Sequence, residues 1–329
     1  LRMRRHERRD ALFAALTWCG IAFAYAAARI AVMGVDGASA LSMLNDATLW
    51  QRVMTIPKLI ITYLRLLALP HSLHMEYLFV ETSFMSPYVL AGIPFLGAVA
   101  YLILKYIKPF SLSLFFLAWF VIGLAPFYNI FPVLSASLRE HWLYLSGIAF
   151  FALFSLAASQ ALGSRNAYAR LAAITLIIIL IPYYAYATIA RNRDWKDPIT
   201  LYSHDLRYEP KSFLLHNNVG VEYFREGDMA AAKKHFLDAI KSSPGEAYDV
   251  AHNNLGAVLE AEGDLEGAIA AYQHSILLGG YNMAYANLGN AYLKQGDAKK
   301  ALEVLAEGTS RYPASAQIRH YLDIARQRQ

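Results

Sequence analysis

The sequence is 329 residues long, 57% apolar, with a formal net charge of +5; that apolar share lies above the soluble average and points to a membrane protein rather than a water-soluble domain. The charge is uneven: residues 1–195 hold 16 Lys and Arg against 8 Asp and Glu, while residues 196–329 hold 14 against 17. With no basic stripe on the polar half, nucleic acid is not expected as a partner, and the single cysteine, Cys19, excludes a disulfide framework within one chain.

In chain order, the cationic stretch "LRMRRHERRD" leads into the apolar run Ala11–Gly34. That run is too long for the core of a cleaved signal and lacks a small-residue cleavage motif, so a signal-anchor is expected. The next helix, Trp50–Leu69, is different. Gln51, Thr55, Lys58, Thr62 and Arg65 recur at i, i+4, i+7, i+11 and i+14, which makes one narrow polar stripe. A lipid-facing span does not carry Lys58 and Arg65 on one face, so this is read as a partly polar membrane helix. Tyr88–Leu104, Ser111–Phe131, Leu143–Leu162 and Leu171–Ala190 are each long and apolar enough to be predicted as spans.

Loop charges set the expected orientation. If Trp50–Leu69 does not complete a crossing, Arg2–Arg9, Lys105/Lys108 and Arg165/Arg170 fall on one side, as the positive-inside rule requires. If it does cross, Lys105 and Lys108 land outside. The first arrangement satisfies every cluster and predicts a multi-pass protein of the inner (plasma) membrane, with everything after Ala190 on the periplasmic or outer side. Residues 1–190 are then a transmembrane domain and 191–211 a junction.

After the junction, "HNNVGVEYF", "HNNLGAVLE" and "YANLGNAYL" recur at 216, 252 and 285. In a frame of about 34 residues, Gly220, Gly256 and Gly289 align. So do Ala232, Ala268 and Ala301, and then Phe236, Tyr272 and Leu305. "REGDMAAA", "AEGDLEGA" and "KQGDAKKA" are predicted turns in which Gly ends one helix and Asp caps the next. These are identified as tetratricopeptide repeats, at 213–248, 249–281 and 282–314. A half-repeat around Tyr202 and Pro210 precedes them, and a terminal capping helix, Ala314–Arg328, follows.

Asn218, Asn254 and Asn287 share one position on the inner helix of each pair. A carboxamide offers a donor and an acceptor, so such a row can hold the backbone of an extended peptide. The row resembles the asparagine ladder in the repeats of O-GlcNAc transferase. The competing reading is that these side chains bridge neighbouring repeats or face water.

Three further stretches narrow the family. "YLRLLALPHSLHMEY" (63–77), "GLAPFYNIFPVLSASLREHWLYLSGIAF" (123–150) and "RNRDWKDPITLYSHDLRYEP" (191–210) occur in that order ahead of the repeats. Together they resemble the transmembrane and tetratricopeptide-repeat (TMTC) O-mannosyltransferases and their bacterial relatives. The match runs through Asn129, Phe131, Pro132, Glu140, Leu143 and Tyr144; His141 stands where the family has Arg, and Glu76 where it has Asp. The resemblance implies an all-α fold: the C-terminal half of a polytopic GT-C-like helix bundle, followed by a repeat solenoid. It implies a polyprenyl-phosphate sugar as donor, an acceptor protein in extended form as partner, and a first outer loop, upstream of Leu1, as the place of the catalytic carboxylate. No residue of this chain is therefore assigned as catalytic.

For binding the carrier, the candidates are Glu140, His141, Tyr144, Arg139, Arg65, Lys58 and Glu76. A belt of aromatics such as Trp142 and Tyr144 at the bilayer surface is the plainer alternative, as is snorkelling for Lys58 and Arg65. His71, His74 and Glu76 have metal-ligand chemistry but no recognised spacing, so no metal is expected there. Arg191, Arg193 and Trp195 are read as headgroup anchors. A membrane-anchored repeat scaffold without catalysis is the alternative function; lipid or glycan transport has less support, because no inverted repeat relates the spans.

Overall fold

The computed structural model describes residues 47–106, 111–130, 136–279 and 281–328. The expected anchor Ala11–Gly34, the Arg2–Arg9 cluster, Lys108, Phe131, Pro132 and Gly280 lie outside the described residues. Within them the structure is all-helical: thirteen α-helices, three 3-10 turns and one isolated β-bridge.

The first helix, α1 (Leu49–Ala68), opens on a reciprocal cap: the Thr48 hydroxyl accepts from Gln51 N–H and the Gln51 side chain accepts from Thr48 N–H. Its polar stripe meets protein rather than lipid. Lys58 pairs with Glu81 at 2.7 Å beneath the rings of Phe79 and Tyr88, Thr55 accepts from Glu81 N–H, and Arg65 reaches the His71 ring. The loop of residues 70–86 thus folds back along α1 and occupies the face that a lipid-facing span would leave to hydrocarbon.

Helix α2 (Pro87–Tyr106) packs on α1 where Gly92 lets Pro57 approach; a Cβ there would sit 2.7 Å from the Pro57 Cβ. Helix α3 (Leu112–Leu124) is followed by a 3-10 turn, Ala125–Phe127, and packs on α4 (Leu143–Leu162), with Gly123 against Ser146. The core here comprises Leu59, Tyr63, Leu66, Tyr77, Phe120, Leu124 and Leu138. Helix α5 runs from Ala167 to Asp194.

Two helices are long and apolar enough to cross a membrane: the stretch Glu140–Leu162 and α5. Along the apolar part of α5, Leu171, Ile178 and Ile181 are 63–65% exposed; length and composition mark this helix as a candidate span. The expectation of five spans is therefore carried, among the described residues, by two. The apolar stretch of α3 with its 3-10 extension (Leu112–Phe127) is shorter, while α2, a helix of 20 residues, has an apolar stretch described over Pro87–Ile103. Regular α-helix stops in α3 after 13 residues, just ahead of Pro126; that is roughly 20 Å of rise against a hydrocarbon core of roughly 30 Å.

Helix α6 (Pro198–Leu206) starts the repeat side, capped by Asp197. Three antiparallel pairs follow: α7 (Phe213–Glu226) with α8 (Met229–Ser242), α9 (Asp249–Ala261) with α10 (Leu265–Leu278), and α11 (Asn282–Gln295) with α12 (Ala298–Arg311). Helix α13 (Ala316–Gln327) covers the end. In each turn a glycine, Gly227, Gly263 or Gly296, takes φ of +85° to +88°, where a side chain would be strained. Asp228, Asp264 and Asp297 then accept the N–H three residues on. The recurring inner glycines have a packing reason: a Cβ on Gly220 or Gly256 would sit within 2.7 Å of the Phe236 or Tyr272 ring. Ala232, Phe236, Ala268, Tyr272, Ala301 and Leu305 are all buried.

Candidate functional site at the seam between the apolar helices and the repeats

The loop of residues 70–81 is the organising element. Tyr77 bridges to Leu138, with N–H to carbonyl distances of 3.0 and 3.3 Å, and the Ser137 hydroxyl accepts from Phe79 N–H at 2.9 Å while donating to Phe79 O. Asn129 holds the partner strand: its backbone adopts φ +57° and its amide donates to Ser137 O at 3.0 Å. Asparagine tolerates that left-handed conformation better than most residues, which gives Asn129 a structural role.

On this support, three carboxylates tie the loop to the repeats. Glu76 accepts from Arg139 and, at 2.9 Å, from the Ser212 hydroxyl that caps α7. Asp205, fully buried, accepts from Met75 N–H at 2.8 Å and from Arg191 at 3.1 Å. Glu209 accepts from Leu78 N–H at 2.9 Å and lies 3.7 Å from His74, whose ring stacks on Tyr208. Glu140 joins from the other side. It accepts from the Tyr77 hydroxyl at 3.3 Å and lies 3.7 Å from Arg191, which also contacts Asp194. Residues up to 136 positions apart thus meet in one polar network.

Burial pushes the Glu76 carboxyl up, and the Arg139 charge and the Ser212 hydroxyl only partly offset it. Burial and then the Glu140 charge raise the Tyr77 phenol. Burial also works to raise Glu81, but hydrogen bonds from Lys58 and Ser86 and the Lys58 charge outweigh it and hold this carboxylate below its usual range.

Two cavities flank the network. One, of about 330 Å³, is lined by His71, Tyr183, Tyr186, Arg191, Asp194, His204 and Tyr208. The other, of about 760 Å³ and largely apolar, lies between α3 and the start of α4, walled by Phe115, Trp119, Phe127, Trp142, His141 and Tyr144. The candidate residues therefore separate into groups. Glu76, Arg139 and Glu140 join the seam; His141 and Tyr144 face the apolar cavity; Lys58 and Arg65 pair along α1 with Glu81 and His71.

His71, His74 and Glu76 do not assemble as ligands: the His74 ring contacts Ser72 O, His71 meets Arg65, and Glu76 is taken by Arg139. Arg191, read from sequence as a headgroup anchor, is instead buried at the centre of the network. Asp205 and Glu209 in the junction, and Ser212 just after it, had no further signal in the sequence, because their partners lie some 130 positions earlier.

On the repeats, Asn254 donates to Asn217 at 2.9 Å, and Asn287 donates to Asn253 at 3.0 Å. Two of the three aligned asparagines thus bridge to the preceding repeat through a neighbouring, more buried asparagine. No hydrogen bond from the Asn218 carboxamide is found among the described residues.

Residues 215–246 and 284–315 match the tetratricopeptide repeat family, and α9 and α10 repeat the same turn and buried positions between them. Among curated proteins, a protein O-mannosyl-transferase of Caenorhabditis elegans is 32% identical over 124 residues, covering 38% of this chain and 17% of that protein. The protein O-mannosyl-transferase TMTC3 of Mus musculus is 28% identical over 163 residues, 49% of this chain and 17% of that one. The chain spans less than a fifth of the length of these relatives. Among solved structures, the crystal structure of MamA protein covers 42% of this chain and 75% of its own at 22% identity, with a TM-score of 0.36.

Proposed function

We infer that this chain is the repeat-bearing C-terminal part of a membrane-bound protein O-glycosyltransferase that draws its sugar from a polyprenyl-phosphate carrier. In this reading the repeats lie on the periplasmic or outer side and receive the acceptor protein as an extended segment, with Asn218, Asn254 and Asn287 along its path. The prenyl chain lies in the apolar cavity beside His141 and Tyr144, and Glu140 and Arg139 border the headgroup. No group of this chain is given the part of general base.

The observation that supports the reading is the seam itself. Glu76, Glu140, Arg191 and Asp205 come from the three stretches that resemble the O-mannosyltransferases, and they close into one network beside an apolar cavity. Partial identity to two proteins named as O-mannosyl-transferases points the same way.

A second reading, a repeat scaffold without catalysis, has its own observation. Glu76 and Glu140 are already engaged by Arg139, Tyr77 and Arg191, as they would be in a purely structural seam. The repeats are suited to protein binding in either case.

The test uses the full-length protein in native membranes with a photoreactive polyprenyl-phosphate sugar and an acceptor peptide. Labelling within residues 115–145, and transfer that falls by about 100-fold or more in Glu140→Gln with peptide binding retained, is the expected result. Absence of labelling together with undiminished transfer in the variant would remove the carrier site; absence of any transfer would leave the scaffold reading.

A further inference from the structure

The repeats contain a cluster that neither glycosyl transfer nor peptide binding uses. His216 on α7 and His235 and Asp238 on α8 bring one ligand atom each to within 4.8 Å of one another. Among the described residues it is the one such group of three. All three side chains are half-buried, so a hydrated ion can reach them from solvent.

The two imidazoles face each other through Nδ1, 3.1 Å apart. A tetrahedral metal with bonds of about 2.0–2.1 Å holds two nitrogens about 3.3–3.4 Å apart, so this spacing needs to open by only a few tenths of an ångström. The His216 ring is also oriented as a ligand. Its Nε2 lies 3.1 Å from Pro210 O; a carbonyl can only accept, so Nε2 carries the proton and the Nδ1 lone pair points at His235. A ligating histidine ordinarily has its other nitrogen fixed in this way. The His235 ring is held by stacking on Tyr223 at 5.6 Å. Shifting the His235 proton from Nδ1 to Nε2 frees the second lone pair with no net change in protonation. Asp238, one helical turn along from His235, adds a carboxylate on the same face.

We propose that His216, His235 and Asp238 form a binding site for one divalent transition-metal ion, with Zn²⁺ best suited to the two imidazoles and one carboxylate, and a fourth position open to water. The site would lock the first helix pair and so fix the end of the solenoid that meets the seam.

The other repeats define what is special here. In the second, His252 and His274 take the places of His216 and Asp238, with rings 4.4 Å apart, and His252 Nε2 again lies 3.1 Å from a carbonyl, that of Glu246. The place of His235 is filled by Ala271, so two ligands remain. In the third, Tyr285 donates to Glu307 at 3.0 Å and no imidazole is present. A side-chain contact between paired helices thus recurs at these places in every repeat, but among the described residues three ligands meet only in the first.

The experiment titrates metal-stripped full-length protein in detergent with ZnCl₂ by calorimetry and with CoCl₂ by visible absorption. One equivalent of Zn²⁺ should bind, and Co²⁺ should give the intense visible bands of a tetrahedral complex. Losing an outer-shell partner alone costs about 10–100-fold in metal affinity, so His235→Gln and Asp238→Asn should each exceed about 100-fold. His274→Gln should leave binding unchanged. Circular dichroism checks the fold of each variant; were His235→Gln to lose helical signal, Asp238→Asn decides. Failure to bind a stoichiometric equivalent, or wild-type affinity in a folded ligand variant, overturns the proposal.

Discussion

His252 shows how a single side chain makes the repeats sensitive to pH. It links α9 to α10 beside His274, with its Nε2 on Glu246 O. Burial depresses its basicity most, the carbonyl of Glu246 works against this, His274 depresses it further, and the charges of Glu246 and Asp249 oppose. The net direction is down, so the unfolded chain takes up a proton at higher pH than the folded one. Stability from this residue is present above the ordinary histidine range near pH 6.5 and is lost as pH falls through the depressed value. Chemical denaturation in the presence of chelator should therefore show stability declining from pH 7 toward pH 5. In His252→Gln the decline should be shallower; an identical pH profile would mean that this residue does not carry it.

Between neighbouring elements, the asparagines act as inter-repeat ties. Asn254 donates to Asn217 and accepts from Asn253, while Asn287 donates to Asn253. Asn217 and Asn253 are buried, and removing a donor strands an acceptor that water reaches poorly. Asn254→Ala is thus expected to cost about 1–3 kcal/mol in urea denaturation, whereas Asn218→Ala should cost well under about 1 kcal/mol. Peptide affinity reads the other role: a loss in Asn218→Ala without a stability change would assign that residue to binding. Equal stability losses at both positions would contradict the bridging geometry. Aligned spacing made the three positions visible, but it could not show that Asn254 and Asn287 reach the preceding repeat through Asn217 and Asn253, because that depends on the superhelical offset between pairs.

At the scale of the whole molecule, the seam makes the apolar helices and the repeats one unit. Asp205 is its centre, fully buried and accepting from Met75 N–H and Arg191, with the His204 ring 3.1 Å away. Leaving a buried charge wholly uncompensated costs about 3–5 kcal/mol; Arg191 keeps Asp194 and Glu140 within 3.4 and 3.7 Å, so the loss in Asp205→Asn falls below that. Asp205→Asn should therefore speed hydrogen exchange in residues 70–81 while the amides of α9 to α12 keep their protection. Unaltered exchange in that loop would show that the seam is held by other contacts. Much of this architecture was legible in the residues alone: the repeats with their Gly–Asp turns, the long apolar helices at 143–162 and 171–190, and the polar stripe on the helix near 50–69. These depend on local periodicity and on turn chemistry, which act within a few residues. The tertiary structure alone decided what the stripe touches, that Arg191 is a buried hub, and that His141 turns away from Glu140 toward an apolar cavity. Each of those depends on which distant segment supplies the counter-charge or the wall, and a buried charge is placed by its partner, not by its neighbours in the chain.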